Sequence, residues 1–467
     1  VSSFEARTEV GVSAGELFRW HARPGALERL VPPWQRVAIV AAKGGIAAGA
    51  RVVLRLGTPP FAMRWVAVHR EYEEGRRFVD AQESGPFARW VHEHRFEDAS
   101  PGRSLLIDRV DYALPLGPIG SAFGGTIALR MIERMFAYRH AVTRSDLERH
   151  APFSGTPPLK IAITGGSGLL GSALAAFLTT GGHEVLRFVR GRPAGSGEIA
   201  WDPATGGIER EKLEGLDAVV HLAGENIAAS RWTRKRKAEI LESRTRGTQL
   251  IAQTLASLTS KPKAFLCASA VGYYGDRGDE RLDETSQTGS GFLATVVRDW
   301  EAATEPAEAA GIRTVRMRFG VILTPKGGAL AKMLLPFKLG AGGPIGGGRQ
   351  GFSWIALDDA IYAIHHLIRD DAVRGAVNVV SPHPVSQREF AGALGRALHR
   401  PAALPLPPFA VKALFGQMGE EAVLGGQFVA PTALERSGFS WSAARLRDAL
   451  ALGLGAAGDG STSGPGA

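Results

Sequence analysis

The segment Lys160-Ile-Ala-Ile-Thr-Gly-Gly-Ser-Gly-Leu-Leu-Gly171 constrains this chain more than any other, because an apolar run passes directly into glycines at fixed offsets. Such a run reads as a buried strand that enters a tight turn and then a helix. Gly165 permits the turn, Gly168 lets backbone N–H groups approach a pyrophosphate, and Gly171 lets the helix pack closely on the strand. Ala173, Leu174, Ala176 and Leu178 continue the helix, which stops at Thr180-Gly-Gly182, and a second strand follows over His183–Arg190. A glycine-rich turn alone can be purely structural. Inside a βαβ unit of this size it points to a nucleotide cofactor, held by Gly165, Gly168, Leu169, Leu170 and Gly171.

The end of the second strand indicates which nucleotide. NAD enzymes usually present Asp or Glu there to the ribose 2′-hydroxyl, whereas this chain has Arg190 and then Arg192. Guanidinium groups at that point favour a 2′-phosphate, so NADP is expected ahead of NAD. The competing reading is that both arginines are solvated surface charges.

A length of 467 residues suggests two or three domains, and 45% hydrophobic content is ample for packed cores. The single cysteine, Cys267, excludes an intrachain disulfide, fits a reducing compartment and sits in an apolar strand as a core residue. The net charge of +9 comes from 55 basic and 46 acidic residues that are interspersed rather than blocked, so a nucleic-acid partner is not expected. The densest cluster, Arg231-Trp-Thr-Arg-Lys-Arg-Lys237, leads into an amphipathic helix and reads as a solvated face. No apolar run reaches the roughly 18 residues of a membrane span, and a soluble cytoplasmic protein is the expectation. Residues 453–467, rich in Gly, Ser and Ala, read as a disordered tail.

Residues 1–150 have a different texture. Alternating segments at Phe4–Val10, Arg36–Val40, Arg51–Leu56, Met63–Arg70, Arg76–Gln82, Trp90–Glu97 and Ser104–Tyr112 predict an antiparallel sheet. A long helix follows over Ile127–Glu148, with Ile132, Met135, Phe136 and Leu147 on one face. This is the pattern of an α+β helix-grip domain with an apolar cavity. Phe18-Arg-Trp-His-Ala-Arg-Pro-Gly-Ala-Leu-Glu-Arg-Leu-Val-Pro-Pro-Trp34 resembles the SRPBCC (START-like, cyclase/dehydrase-like) superfamily, which implies a hydrophobic ligand. His21, His92 and His94 are candidate polar contacts in that cavity, but no spacing along the chain completes a metal site, and none is expected.

After a Pro-rich linker at 151–158, strands at Lys160–Thr164, Glu184–Val189, Ala218–Leu222, Ala264–Ala268, Arg313–Phe319 and Ala376–Val380 alternate with helices. That order predicts an α/β Rossmann domain, a doubly wound parallel sheet, over 159–385, with a small C-terminal substrate-cleft module over 386–452. Leu222, Ala223 and Gly224 end a strand with bare backbone beneath the expected dinucleotide, and Arg244 on the next helix is a candidate phosphate contact.

His221-Leu-Ala-Gly-Glu-Asn-Ile227, Arg231-Trp-Thr with Arg236-Lys237, Ser269-Ala-Val-Gly-Tyr-Tyr-Gly275 and Leu335-Pro-Phe-Lys-Leu-Gly-Ala-Gly-Gly-Pro-Ile-Gly346 occur in this order. Together they resemble the extended short-chain dehydrogenase/reductase superfamily, in the branch of epimerase-family proteins with a C-terminal DUF1731 module. The resemblance implies a Tyr-x-x-x-Lys pair that trades a proton while nicotinamide trades a hydride. On the helix of Gly291–Glu301, however, those positions fall on Leu293 and Val297, and neither can transfer a proton. What remains is Ser269, with a one-residue ambiguity toward Ala270, and Tyr273 or Tyr274 as acid/base or as an aromatic wall. Arg349 and Gln350, in a glycine-rich loop before Asp358 and Asp359, are candidate contacts to a small-molecule substrate. The reading is an NADP-dependent oxidoreductase or epimerase-like enzyme with an atypical active site; the alternative is a non-catalytic NADP(H)-binding sensor or scaffold.

Overall fold

Alternation along β6 (Arg89–Ser100) and, interrupted by the buried Ile107, along β7 (Arg103–Ala113) buries Trp90, His92, His94 and Phe96 on one strand and Leu106, Asp108, Val110 and Tyr112 on the other. In the computed structural model, which describes residues 1–456, these strands lie in a seven-stranded antiparallel sheet. The others are β1 (Ser2–Val10), β2 (Val37–Lys43), β3 (Arg51–Leu56), β4 (Met63–Glu73) and β5 (Arg77–Ser84), in the spatial order β1-β7-β6-β5-β4-β3-β2. Between β1 and β2 come α1 (Ala14–Ala22), whose first turn is capped by the Ser13 hydroxyl accepting from Glu16 N–H, and α2 (Ala26–Leu30). The long helix α3 (Gly117–His150) begins ten residues earlier than the apolar periodicity suggests. Its buried residues Ile132 and Phe136 pack with Trp90, Val110 and Tyr112. This is the helix-grip arrangement, and within it lies a cavity of about 430 Å³.

Val1–Pro157 form the bulk of this unit; Pro158–Ala175 and His183–Gly453 form a second. Its first strand, β8 (Lys160–Thr164), has an apolar centre, Ile161–Ile163, because parallel strands are covered on both faces. With α4 (Leu169–Thr180), β9 (Glu184–Val189), β10 (Glu198–Asp202), β11 (Gly207–Ile208), β12 (Ala218–His221), α5 (Arg234–Ala256), β13 (Ala264–Ala270), α6 (Phe292–Ala302), β14 (Arg313–Phe319), α7 (Leu357–Arg369) and β15 (Gly375–Val379) it forms a doubly wound sheet. The order is β11-β10-β9-β8-β12-β13-β14-β15, parallel except for β11. Strand order therefore reverses between β8 and β12, which opens a crevice at their carboxyl ends.

Sequence reading did not anticipate β10 and β11. β10 is five residues long, matches β9 at only three positions and is bracketed by turn formers, so its period is too short to register.

The C-terminal part is tied back to this crevice. Phe428–Val429 pair in parallel with Arg281–Leu282, Gln427 Nε2 donates to the Gly275 carbonyl at 2.6 Å, and Leu293 N–H donates to Glu421 Oε2 at 2.9 Å. Asp359 accepts from Ser442 and Ala443 N–H at 2.7 and 3.0 Å, so it clamps the C-terminal segment onto α7. Helix continues to Leu454, past the expected start of the tail at residue 453, and from residue 457 on that tail lies outside the described residues. Among the described residues no helix is long and apolar enough to cross a membrane.

Candidate functional site

The glycines of the β8–α4 turn are required by contact geometry. Gly165 has φ of +66°, and a Cβ there would stand 3.0 Å from the Leu222 carbonyl carbon. A Cβ on Gly171 would stand 2.3 Å from Gly165 O, an overlap with backbone that no rotamer relieves. Gly168 is less constrained, with its virtual Cβ 3.1 Å from the same oxygen. The start of α4 thus lies directly on the turn, with Leu169 and Leu170 in its first positions and its N-terminal N–H groups available to an anion.

Thr164 holds the neighbouring strand tip in place. Its hydroxyl accepts from Leu222 and Ala223 N–H at 3.0 and 3.1 Å, so its own proton goes to His221 Nδ1 at 2.7 Å. Burial pushes the His221 imidazole down to about 3 and keeps it neutral. The segment Leu222-Ala223-Gly224 is therefore fixed as bare backbone beside the glycine turn.

The basic residues near the turn differ in their surroundings. Arg190 is exposed just past β9, as a contact to a 2′-phosphate requires. Arg187, within β9, was not singled out from the sequence, yet its Cδ and Cγ stand 3.2 Å from a virtual Cβ on Gly166, so its side chain lies over the glycine turn. An exposed arginine among the apolar residues Val185, Leu186, Phe188 and Val189 was the available signal. Arg244 is engaged internally instead: Nη1 donates to Ile240 O at 3.1 Å, Nη2 donates to Glu225 O at 3.0 Å, and its guanidinium lies 5.0 Å from the Trp300 ring centre. Burial pulls its pKa down to about 10. It braces the loop after Gly224 rather than presenting a free fork to phosphate.

The basic cluster at Arg231–Lys237 is likewise structural, not simply solvated. Arg231 donates to the Lys412 and Ala413 carbonyls, and Arg236 pairs with Glu225 and Glu239.

At the end of β13 the candidate hydroxyls converge on one buried ion pair that sequence reading missed. Arg318 on β14 forms a two-pronged bond to Glu301 on α6, with Nε–Oε1 and Nη2–Oε2 both 2.8 Å. Ser269 Oγ donates to Glu301 Oε1 at 2.6 Å. Tyr274 OH accepts from Arg318 Nη1 at 3.0 Å and donates to Asn378 Oδ1 at 2.8 Å. Burial pushes the Tyr274 phenol up to about 12. Burial alone would weaken the Arg318 charge, but the bonds and charge of Glu301 hold its pKa above the usual range. Ser269 and Tyr274 are both committed inside the protein.

Tyr273 is not committed in this way. The Arg318 guanidinium carbon stands 3.5 Å from its ring centre, its ring is half-buried, and its hydroxyl takes no hydrogen bond among the described residues. The preceding residue meets an apolar surface: a Cβ on Gly272 would stand 3.5 Å from Leu293 Cβ and 3.9 Å from Val297 Cγ2. Leu293 and Val297 thus face the turn that carries the tyrosines.

Arg349 is exposed, and Gln350 Nε2 donates to the Ile345 and Val423 carbonyls, both at 3.1 Å, which fixes its loop. Cys267 is buried with its thiol pushed up to about 12, which leaves no nucleophilic thiolate near neutral pH.

Comparison with known proteins places these features in context. The profile of the NAD dependent epimerase/dehydratase family matches residues 161–380, that of a domain of unknown function (DUF1731) matches 406–452, and that of polyketide cyclase / dehydrase and lipid transport matches 10–136. Epimerase family protein Mb2239 of Mycobacterium bovis is 43% identical over 290 residues, spanning 62% of this chain and 96% of that protein. The crystal structure of a nucleoside-diphosphate sugar epimerase from Corynebacterium glutamicum is 34% identical with a TM-score of 0.79, and the match covers 97% of this chain and 90% of that one. The crystal structure of human epimerase family protein SDR39U1 with NADPH is 38% identical with a TM-score of 0.58, covering 63% of this chain and 99% of that one.

Proposed function

Since the chain belongs to the epimerase family, with its NAD dependent epimerase/dehydratase fold and DUF1731 module, we propose that its second unit binds NADP(H) and carries out hydride transfer on a small-molecule substrate with Tyr273 as the proton carrier. On this reading the Gly165–Gly171 turn and the Leu222–Gly224 strand tip accommodate the pyrophosphate and Arg187 and Arg190 meet the 2′-phosphate, which the position of Arg187 over the turn and the exposure of Arg190 support. The bound nicotinamide supplies the hydride chemistry. The protein's part is to orient the substrate, exclude water and move a proton. The observation that carries the assignment to Tyr273 is its hydroxyl: it alone of Ser269, Tyr273 and Tyr274 stands outside the Glu301–Arg318 network. A guanidinium face-on to the ring fixes the ring plane, so the phenol is positioned without the usual lysine.

Nucleoside-diphosphate sugars are the first substrates to test, because the similar Corynebacterium glutamicum structure is of an epimerase of that class. NADPH deuterated at C4 is incubated with the protein and a panel of such sugars and small carbonyl compounds, and deuterium transfer is followed by mass spectrometry. Transfer by wild type and an at least roughly 100-fold slower rate in Tyr273→Phe, with NADPH affinity unchanged, is the expected result. Equal rates in both would remove Tyr273 from the chemistry.

A second reading is favoured by one observation, the commitment of Ser269 and Tyr274 to Glu301 and Arg318 beside the apolar Leu293 and Val297. On that reading the unit binds NADP(H) without turnover, as a sensor or scaffold, and deuterium transfer is absent while NADPH binding persists. In either case the cavity of the first unit is assigned to a lipophilic ligand, since Leu54, Trp65 and Trp90 are among its walls.

A further inference from the structure

The cavity of the first unit is apolar over most of its wall, yet it also exposes His21, His69, Asp80, His92 and His94. The strand register explains how these meet. His92 and His94 are two apart on β6 and so share the inward face; Asp80 on β5 lies directly opposite His92, and Asp108 on β7 directly opposite His94. Neither carboxylate is close to the histidines in sequence, which is why no ligand spacing is visible along the chain.

The nitrogen atoms divide into two sets. His92 Nε2 and His94 Nδ1 face the same oxygen, Asp108 Oδ1, at 3.0 and 2.6 Å. The other oxygen of Asp108 pairs with His140 Nε2 at 2.6 Å, and His140 Nδ1 meets the Thr8 hydroxyl at 2.9 Å. Of the two contacts to Asp108 Oδ1, only that of His92 is a hydrogen bond, whereas His94 Nδ1 makes none; with the His92 Nε2–H turned to Asp108, His92 Nδ1 and His94 Nε2 are both directed at Asp80 Oδ2, at 3.3 and 3.8 Å. Two imidazole nitrogens and a carboxylate oxygen that converge in a buried pocket are stabilised by a positive charge among them. Ligand atoms bound at about 2.1 Å in a tetrahedron stand about 3.4 Å apart, close to these separations.

We propose that Asp80, His92 and His94 hold a divalent first-row transition-metal ion, of the zinc or ferrous class, with Asp108 as the outer carboxylate that orients His92. The ligand set, two imidazoles and one carboxylate, suits such an ion rather than magnesium or calcium. A carboxylate that accepts the far N–H of a ligating histidine, as Asp108 does from His92, is the usual outer partner of such sites. All three ligands line the cavity, so the remaining coordination positions lie on the cavity side, open to an apolar molecule that carries an oxygen donor. A second observation also points to a ligand there. His69 is 92% buried by its 8% exposure, lines the same cavity, and its Nδ1 has no hydrogen-bond partner.

The test uses the full chain without an affinity tag, depleted of metal by chelator dialysis and then given Co²⁺ or Zn²⁺ alone. Wild type is expected to retain one ion per chain after gel filtration, with the visible cobalt bands of a low-coordinate nitrogen and oxygen site. Asp80→Asn and His94→Gln should each weaken zinc binding at least about 100-fold, and Asp108→Asn about 10- to 100-fold, with far-ultraviolet circular dichroism and NADPH binding as folding controls. Absence of stoichiometric uptake by wild type would overturn the proposal without recourse to any variant. Uptake that survives in the folded Asp80→Asn/His94→Gln double variant would also overturn it, by placing the ion elsewhere.

Discussion

Glu301→Ala is expected to destabilise the second unit by about 3–5 kcal/mol, because it leaves the Arg318 guanidinium buried without its partner. The Arg318 and Glu301 side chains are only 5% and 11% exposed, so little solvent screening relieves the stranded charge. The same substitution also removes the acceptor of Ser269 Oγ. Urea denaturation followed by tryptophan fluorescence measures the loss. The Glu301→Ala/Arg318→Met double variant should lose less than Glu301→Ala alone, since it removes the stranded charge along with the pair. A purely local hydrogen-bonding role would instead give additive losses of about 1 kcal/mol per bond. The consequence reaches the proposed chemistry, because the Tyr273 ring rests on Arg318 and follows it.

Gly171→Val is expected to abolish NADPH binding. A Cβ at this position stands 2.3 Å from Gly165 O and 2.8 Å from Gly165 C, so either the helix or the turn must shift. A displacement of about 1 Å there moves the N–H groups of the turn out of hydrogen-bond range of a pyrophosphate. Gly168→Ala provides the contrast: its Cβ meets the same oxygen at 3.1 Å, a contact that a few tenths of an ångström relieves, and φ at Gly168 lies outside the left-handed region. Calorimetric titration should show no NADPH binding for Gly171→Val and a reduction of only about tenfold for Gly168→Ala, with the first unit still folded in both. Comparable affinities for the two variants would contradict the geometric account.

What could be read from the sequence was what is written contiguously. The turn Gly165–Gly171 carries its strand, its glycines and its helix in twelve consecutive residues, so both its fold and its function are local. The apolar replacements Leu293 and Val297 were legible for the same reason, since they lie one helical turn apart on α6. The partners that complete the sites were not. Glu301 and Arg318 meet only because α6 packs beside β13 and β14, and nothing in either local pattern marks them as a pair. Asp80 and Asp108 reach His92 and His94 across strand ladders, where register rather than spacing decides contact. Arg187 was hidden by its setting inside a strand, and the internal bonds of Arg244 were not visible because one acceptor is the Glu225 carbonyl of a distant loop and the other the Ile240 carbonyl of its own helix.

The central claim is that the cradle selects NADP(H) through Arg187 and Arg190, and the most direct test is calorimetric titration of NADPH and NADH into wild type and the Arg187→Ala/Arg190→Ala double variant. Wild type should bind NADPH at least about tenfold more tightly than NADH, and the double variant should lose that preference while keeping its NADH affinity, since charge-assisted bonds to the 2′-phosphate contribute about 1.5–3 kcal/mol. Equal affinity of wild type for the two nucleotides, or an undiminished preference in the double variant, would contradict it.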